Sequence, residues 1–134
     1  MEKTLVLIKP DAMEKKLMGD IISIYEKKGL HIRAIKIIRP DVTIAGEHYE
    51  EHKDKPFFGE LVEFITRGEV CAMVLEGHRA VETVRKLNGA TDPLNADAGS
   101  IRGMYAASKQ ENCVHASDCG ESAAREIEIW FPEY

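Results

Sequence analysis

The sequence offers few of the devices that stabilise small secreted or membrane-bound domains. Its thiols are odd in number, Cys71, Cys113 and Cys119, without CxxC spacing and within or beside apolar segments. That pattern argues against a disulfide framework and suits free thiols in a reducing compartment. No signal-peptide pattern opens the sequence and no apolar run approaches membrane-spanning length, so a cytoplasmic location is expected, with no membrane association. A basic excess is also lacking, with 18 Lys and Arg against 23 Asp and Glu and a net charge of -5. General nucleic-acid binding, which needs a basic face, is disfavoured. An acidic protein can still hold phosphate locally if a few cations converge. Repeats, low-complexity tracts and linkers are absent too. At 134 residues one domain over 1–134 is expected, able to bury roughly two-thirds of its unfolded surface.

The patterning that is present alternates strands and helices. Thr4 to Ile8 is an uninterrupted run of β-branched and aliphatic residues, which predicts a central strand buried on both faces. It ends at Lys9-Pro10-Asp11, where proline denies the ladder a donor and Lys9 can reach into a cleft. Ile21, Ile22, Ile24 and Tyr25 draw one stripe on a helix stopped by Gly29. His31 to Arg39 reads as a second strand stopped by Pro40. Thr43 is a plausible N-cap for a short helix carrying His48, Tyr49 and His52, with Tyr49 and His52 near one face. Pro56 suits the first turn of the next helix, whose core stripe is Phe58, Leu61, Val62 and Ile65. Val70 to Leu75 predicts a third strand and His78 to Leu87 a helix with Arg85 on its outer side. From Asn88 to Gly103 regular patterning stops, and long irregular segments in compact domains are often functional.

The stretch Asn112-Cys113-Val114-His115-Ala116-Ser117-Asp118 ends a short apolar run on a histidine and then starts a helix. Asp118 and Glu121 predict an N-cap and a capping-box glutamate, and the helix's first N–H groups would face an anion held near His115. Without the additional helices the order is βαββαβ, an α+β ferredoxin-like pattern in which helices cover one face of an antiparallel sheet.

Four signatures together carry a family resemblance. They are Leu7-Ile8-Lys9-Pro10-Asp11; His48-Tyr49 through His52 to Pro56-Phe57-Phe58; Thr91-Asp92-Pro93 with Gly99-Ser100-Ile101-Arg102-Gly103; and Asn112 to Asp118. Over nearly its whole length the chain resembles a nucleoside diphosphate kinase. The resemblance implies transfer of the γ-phosphate of ATP or another nucleoside triphosphate to a nucleoside diphosphate, in two half-reactions through a phosphohistidine.

His115 matches the family's nucleophile. Lys9, Tyr49, His52, Arg85, Thr91 and Arg102 match its phosphate ligands, and Asn112 a residue contacting the sugar. Glu126 matches the acid that hydrogen-bonds the catalytic histidine, and Ser117 lies near the same site. Phe57 and Leu61 match the slot that sandwiches the base. Stacking, worth about 1–3 kcal/mol per base, accepts any π-face, so broad base tolerance is implied. Mg²⁺ is implied as the substrate's metal, commonly held through the phosphates, and the resemblance assigns it no direct protein ligand here. A homo-oligomer is implied, a hexamer in preference to a tetramer.

Three other readings compete. A catalytically silent scaffold would be expected to lose at least one of His115, Lys9, Arg102, Asn112 and Tyr49, and all are present. A metal site of Cys113, His115 and Cys119 falls one ligand short of a closed structural zinc site. An RNA-binding module would need exposed sheet aromatics where these strands carry Ile, Val and Leu.

Overall fold

The computed structural model describes residues 1–134. Its centre is an antiparallel sheet of four strands: β1 (Glu2–Ile8), β2 (His31–Ile38), β3 (Val70–Gly77) and β4 (Val114–Ala116), in the order β2-β3-β1-β4. Seven helices surround it: α1 (Pro10–Glu14), α2 (Met18–Lys27), α3 (Val42–His48), α4 (Phe58–Thr66), α5 (Ala80–Asn88), α6 (Ile101–Tyr105) and α7 (Gly120–Trp130). Short 3-10 turns occupy Glu50–His52 and Pro93–Asn95.

The ferredoxin-like α+β architecture is as expected, but helices cover both faces of the sheet. Val6, Ile8, Cys71, Met73, Leu75 and Val114 pack into one buried cluster with residues of α2 and α5. Their neighbours Leu5, Leu7, Val70, Ala72 and Val74 enter a second one with Ala45, Ile65 and Trp130 from α3, α4 and α7. Side chains alternate between faces along a strand, so β1 and β3 must be apolar at successive positions. Thr4 to Ile8 is fully buried accordingly.

The differences from expectation have local causes. Asp41, not Thr43, caps α3, its carboxylate accepting from the Ile44 N–H at 2.8 Å. Tyr49 ends that helix and His52 lies in the following 3-10 turn, yet their ring centroids remain 6.4 Å apart. Pro56 precedes α4 within a turn, while Pro10 is the proline that starts a helix. The irregular stretch after Asn88 contains a 3-10 turn and α6, anchored by the fully buried Ile101.

Asp118 does not cap α7. The helix begins at Gly120 after Cys119, whose side chain makes no cap, and Glu121 is its second residue. The Asp118 carboxylate is instead drawn to Arg85, accepting from the guanidinium at 2.6 Å. Cys113 is not in a strand: it has φ 72°, and the Val114 N–H donates back to the Asn112 carbonyl at 2.8 Å. That i to i+2 bond at positive φ is the rare, strained γ-turn.

Candidate active site

β4 hydrogen-bonds to β1, with His115 opposite Leu7, so the histidine side chain shares the face covered by α3, α4 and α7. It enters a cleft of about 410 Å³ whose walls include Lys9, Tyr49, His52, Arg85, Thr91, Arg102, Asn112 and Glu126. Residues scattered from the first strand to the last helix thus converge on one place. Ser117 is fully buried behind the wall. Phe57 and Leu61 lie outside the cleft proper: Phe57 is 42% exposed, and Leu61 packs at the edge of the second core. The Leu61 N–H donates to the Phe57 carbonyl at 3.1 Å, and the Phe57 ring lies 5.6 Å from that of His52.

Two hydrogen bonds to one carboxylate oxygen organise the histidine. His115 Nε2 is 2.8 Å from Glu126 Oε1, and Ser117 Oγ donates to the same oxygen at 2.9 Å. A carboxylate accepts only, so Nε2 carries the proton and Nδ1 keeps its lone pair. Ser117 Oγ also accepts from the Leu5 N–H at 3.2 Å, which ties the assembly to the central strand. Burial, with Lys9 next in effect, pulls His115 down to about 3, so the ring is neutral at physiological pH. Burial raises the Glu126 carboxyl, while His48, Ser117 and Arg125 pull it back.

The cations are held before any ligand arrives. Arg102 donates to three backbone carbonyls: Gly89 at 2.8 Å, Val114 at 2.7 Å and Asn112 at 3.2 Å. A guanidinium has five N–H donors, so two remain for an anion. Lys9 Nζ donates to Asn112 Oδ1 at 2.9 Å, and Asn112 Nδ2 donates to the Thr91 carbonyl at 3.3 Å. Burial and the charge of Arg102 lower Lys9 to about 8. Burial pushes the Tyr49 hydroxyl up to about 12, keeping it a donor.

A brace under Asn112 was not foreseen from the sequence. Asp11, 1% exposed, accepts the Cys113 N–H at Oδ2 (3.0 Å), and the Lys9 N–H donates to the Cys113 carbonyl at 2.8 Å. The segment after β1 therefore clamps the γ-turn between Asn112 and β4. Strain of this kind persists where surrounding contacts over-determine it, commonly at active sites.

In the sequence His48 is only Tyr49's neighbour, yet it is buried against the nucleophile, the ring centroids 4.4 Å apart. A nitrogen of His48, one of His115 and a Glu126 oxygen all lie within 4.8 Å of one another. Metal ligation through His48 is nevertheless disfavoured by its donor chemistry. Trp130 Nε1–H donates to His48 Nδ1 at 3.0 Å, which places the ring's proton on Nε2 and leaves no free lone pair. The grouping of Cys113 and Cys119 with His115, disfavoured already by its ligand count, does not form, Cys113 being buried and Cys119 exposed beside Ser122.

Comparison with known proteins fits this geometry. The family model described as nucleoside diphosphate kinase matches residues 2–134. The chain belongs to the nucleoside diphosphate kinase family. It is 54% identical over 132 residues to the nucleoside diphosphate kinase of Mycobacterium tuberculosis, covering 98% of this chain and 97% of that one. Against the same enzyme of Methanobrevibacter smithii it is 52% identical, covering 98% and 88% respectively. A crystal structure of a nucleoside diphosphate kinase family protein from Babesia bovis superposes with a TM-score of 0.96 at 45% identity, over 99% of this chain and 90% of that one. The protein is accordingly a phosphotransferase that binds nucleotides, a chemistry consistent with a divalent metal cofactor.

Proposed function

We propose that residues 1–134 form one nucleoside diphosphate kinase domain in which His115 Nδ1 relays the γ-phosphate of a nucleoside triphosphate to a nucleoside diphosphate. The observation that carries this is the pairing of His115 Nε2 with Glu126, which leaves a neutral Nδ1 in a cleft with Lys9 and Arg102. In the first half-reaction Nδ1 attacks the γ-phosphorus. An N–P bond forms, the bridging P–O bond breaks, and the diphosphate leaves with the electron pair on its terminal oxygen. The imidazole acquires positive character, which the Glu126 carboxylate balances through the Nε2 proton. In the second half-reaction a terminal oxygen of the incoming diphosphate attacks the same phosphorus from the cleft side; a P–O bond forms, the N–P bond breaks, and its electron pair returns to Nδ1. No hydroxyl needs deprotonation, so the site needs no strong general base.

Phosphoryl transfer rests mainly on positioning and charge stabilisation. Arg102 and Lys9 neutralise the transferring group, Tyr49 orients it by its hydroxyl, and Asn112 holds Lys9 while reaching the sugar. His52, Arg85 and Thr91 bind the remaining phosphates, and Phe57 with Leu61 stacks the base without reading its edges.

Mg²⁺ fits as an ion carried by the nucleotide. A hard cation asks for several oxygen ligands, whereas the cleft carboxylate of Glu126 is already engaged by His115 and Ser117. Asp118, exposed and partnered by Arg85 at the rim, would meet it through water. When bound, Mg²⁺ would neutralise phosphate charge and set the chain of phosphates for in-line transfer.

The family resemblance implies a homo-oligomer, a hexamer in preference to a tetramer, and β2 supports association with another copy of the chain. It is an edge strand of the sheet, and Ile35 and Ile37 on it are 49% and 50% exposed. Unpaired edges with exposed apolar side chains favour association with another chain. No helix is long and apolar enough to cross a membrane. The free thiols of Cys71, Cys113 and Cys119 support the cytoplasmic placement.

Incubation with γ-labelled ATP and Mg²⁺, followed by a nucleoside diphosphate, tests the relay. The parent is expected to acquire acid-labile label that passes to the diphosphate, and His115→Ala to acquire none. A parent that binds nucleotide but takes up no label would overturn it in favour of a non-catalytic scaffold.

A further inference from the structure

None of the phosphate, sugar or base contacts proposed above uses His48, yet the structure packs it against the nucleophile and fixes its orientation. Its ring stands edge-on to three others. The centroid distances are 4.4 Å to His115, 4.7 Å to Tyr49 and 5.6 Å to Trp130, with interplanar angles of 77°, 76° and 78°. His48 is 4% exposed.

The bond from Trp130 settles its protonation state. An indole N–H can only donate, so His48 Nδ1 must be an unprotonated acceptor at 3.0 Å and the single ring proton belongs to Nε2. A second proton would have to land on Nδ1, against the indole hydrogen. Burial and the neighbouring His115 oppose the same charge. The ring is therefore a neutral imidazole of one tautomer.

Glu126 and Trp130 are four residues apart on α7, and residues at that spacing share a helix face. One face of one helix thus reaches His115 by two routes. Glu126 contacts Nε2 directly, while Trp130 acts through His48 on the side of the ring. A hydrogen bond at a single nitrogen leaves a ring free to swing about that bond, and an edge-on neighbour removes the swing.

We propose that His48 is a positioning residue for phosphoryl transfer, locked by Trp130 as its neutral Nε2–H tautomer so that its ring fixes the tilt of His115 for in-line attack. The inference rests on the reading of His115 as the phosphorylated residue.

Two full-length variants separate this role from simple packing. Trp130→Phe removes the lock and leaves the imidazole. His48→Asn keeps an acceptor for Trp130 in place of Nδ1 and removes the ring edge. Single-turnover labelling by γ-labelled ATP, normalised to folded protein, is expected to slow at least about tenfold in both, since small misplacements of a reacting group cost this much or more. Nucleotide affinity is expected to stay within about twofold, because neither residue is assigned a ligand contact. In the parent, ¹⁵N spectra of His48 should show one tautomer with the proton on Nε2, and in Trp130→Phe a mixture.

Parent-like labelling rates in both variants would overturn the proposal, as would a loss confined to nucleotide affinity or a mixed His48 tautomer in the parent. If the parent itself takes no label while His48 shows the single tautomer, the phosphohistidine reading fails and takes this role with it.

Discussion

Lys9 Nζ donates to Asn112 Oδ1 at 2.9 Å across 103 positions of sequence, so the first strand's exit and the last strand's entry share one half-buried cation. The amine is brought down to about 8 by burial and then by Arg102. Above that pH it loses the charge needed to receive a phosphate. The kcat/KM profile, which reports the free enzyme, should therefore fall as pH rises through about 8. A profile flat to pH ~10, where an unperturbed lysine titrates, would show that Lys9 keeps its charge or is not needed.

Replacing Glu126 with Gln keeps the shape and removes the charge facing His115. Hydrogen bonds to charged groups are worth about 1.5–3 kcal/mol. If that contribution is realised in the transition state, kcat should fall on the order of 10- to 100-fold with nucleotide KM little changed. Steady-state kinetics of Glu126→Gln checks this, and an unchanged kcat would remove Glu126 from the mechanism.

The βαββαβ order and the converging residues were legible because they depend on periodicity and on short signatures around Lys9, Arg102 and His115. Three other features were hidden, each for its own reason. The second layer of helices could not be assigned to a face, since the apolar runs 5–8 of β1 and 70–75 of β3 carry no alternation to show which side is covered. Asp118 resembles an N-cap locally, and only the fold brings Arg85 within 2.6 Å of it. The pairing of His48 with Trp130 spans 82 positions, and neither residue's neighbours announce it.

Phe57→Ala should raise KM for ATP, GTP and CTP by similar factors. Loss of about 1–3 kcal/mol of stacking corresponds to roughly 5- to 100-fold. The 42% exposure of Phe57 without ligand favours the lower part of that range. Steady-state kinetics with the three nucleotides measures the effect, and a strong rise for one base alone would mean that the slot reads base edges.

Gly89 has φ 85°, and a Cβ there would collide with the Ser100 side chain. Its carbonyl is also one of the three that hold Arg102. Gly89→Ala should cost roughly 1–3 kcal/mol in stability and weaken phosphate binding as Arg102 shifts. Urea unfolding together with nucleotide titration tests both effects, and a variant as stable as the parent would contradict this account of the turn.

Acid should destabilise the fold through His48, which burial holds well below 6.5. The unfolded chain takes up that proton below about 6.5 and the folded chain does not. Its contribution is therefore complete above that pH and is lost as pH falls, by up to about 1.4 kcal/mol per unit. In urea unfolding at pH 7.5, 6 and 5, roughly spanning the unfolded histidine pKa, the stability of His48→Asn should decline less steeply than that of the parent. Equal slopes would show that His48 does not titrate on unfolding.

The seam between β1 and β4 also governs when activity can emerge during folding. Its contacts, such as the Leu5 N–H to Ser117 Oγ across 112 positions, close one of the longest loops in the molecule, and distant pairings of this kind form slowly. A partially folded chain with β4 undocked can retain much of the helical layers and still lack a placed nucleophile. Phosphotransfer is therefore a stringent reporter of complete folding, and its recovery on refolding should lag behind the return of helical circular dichroism.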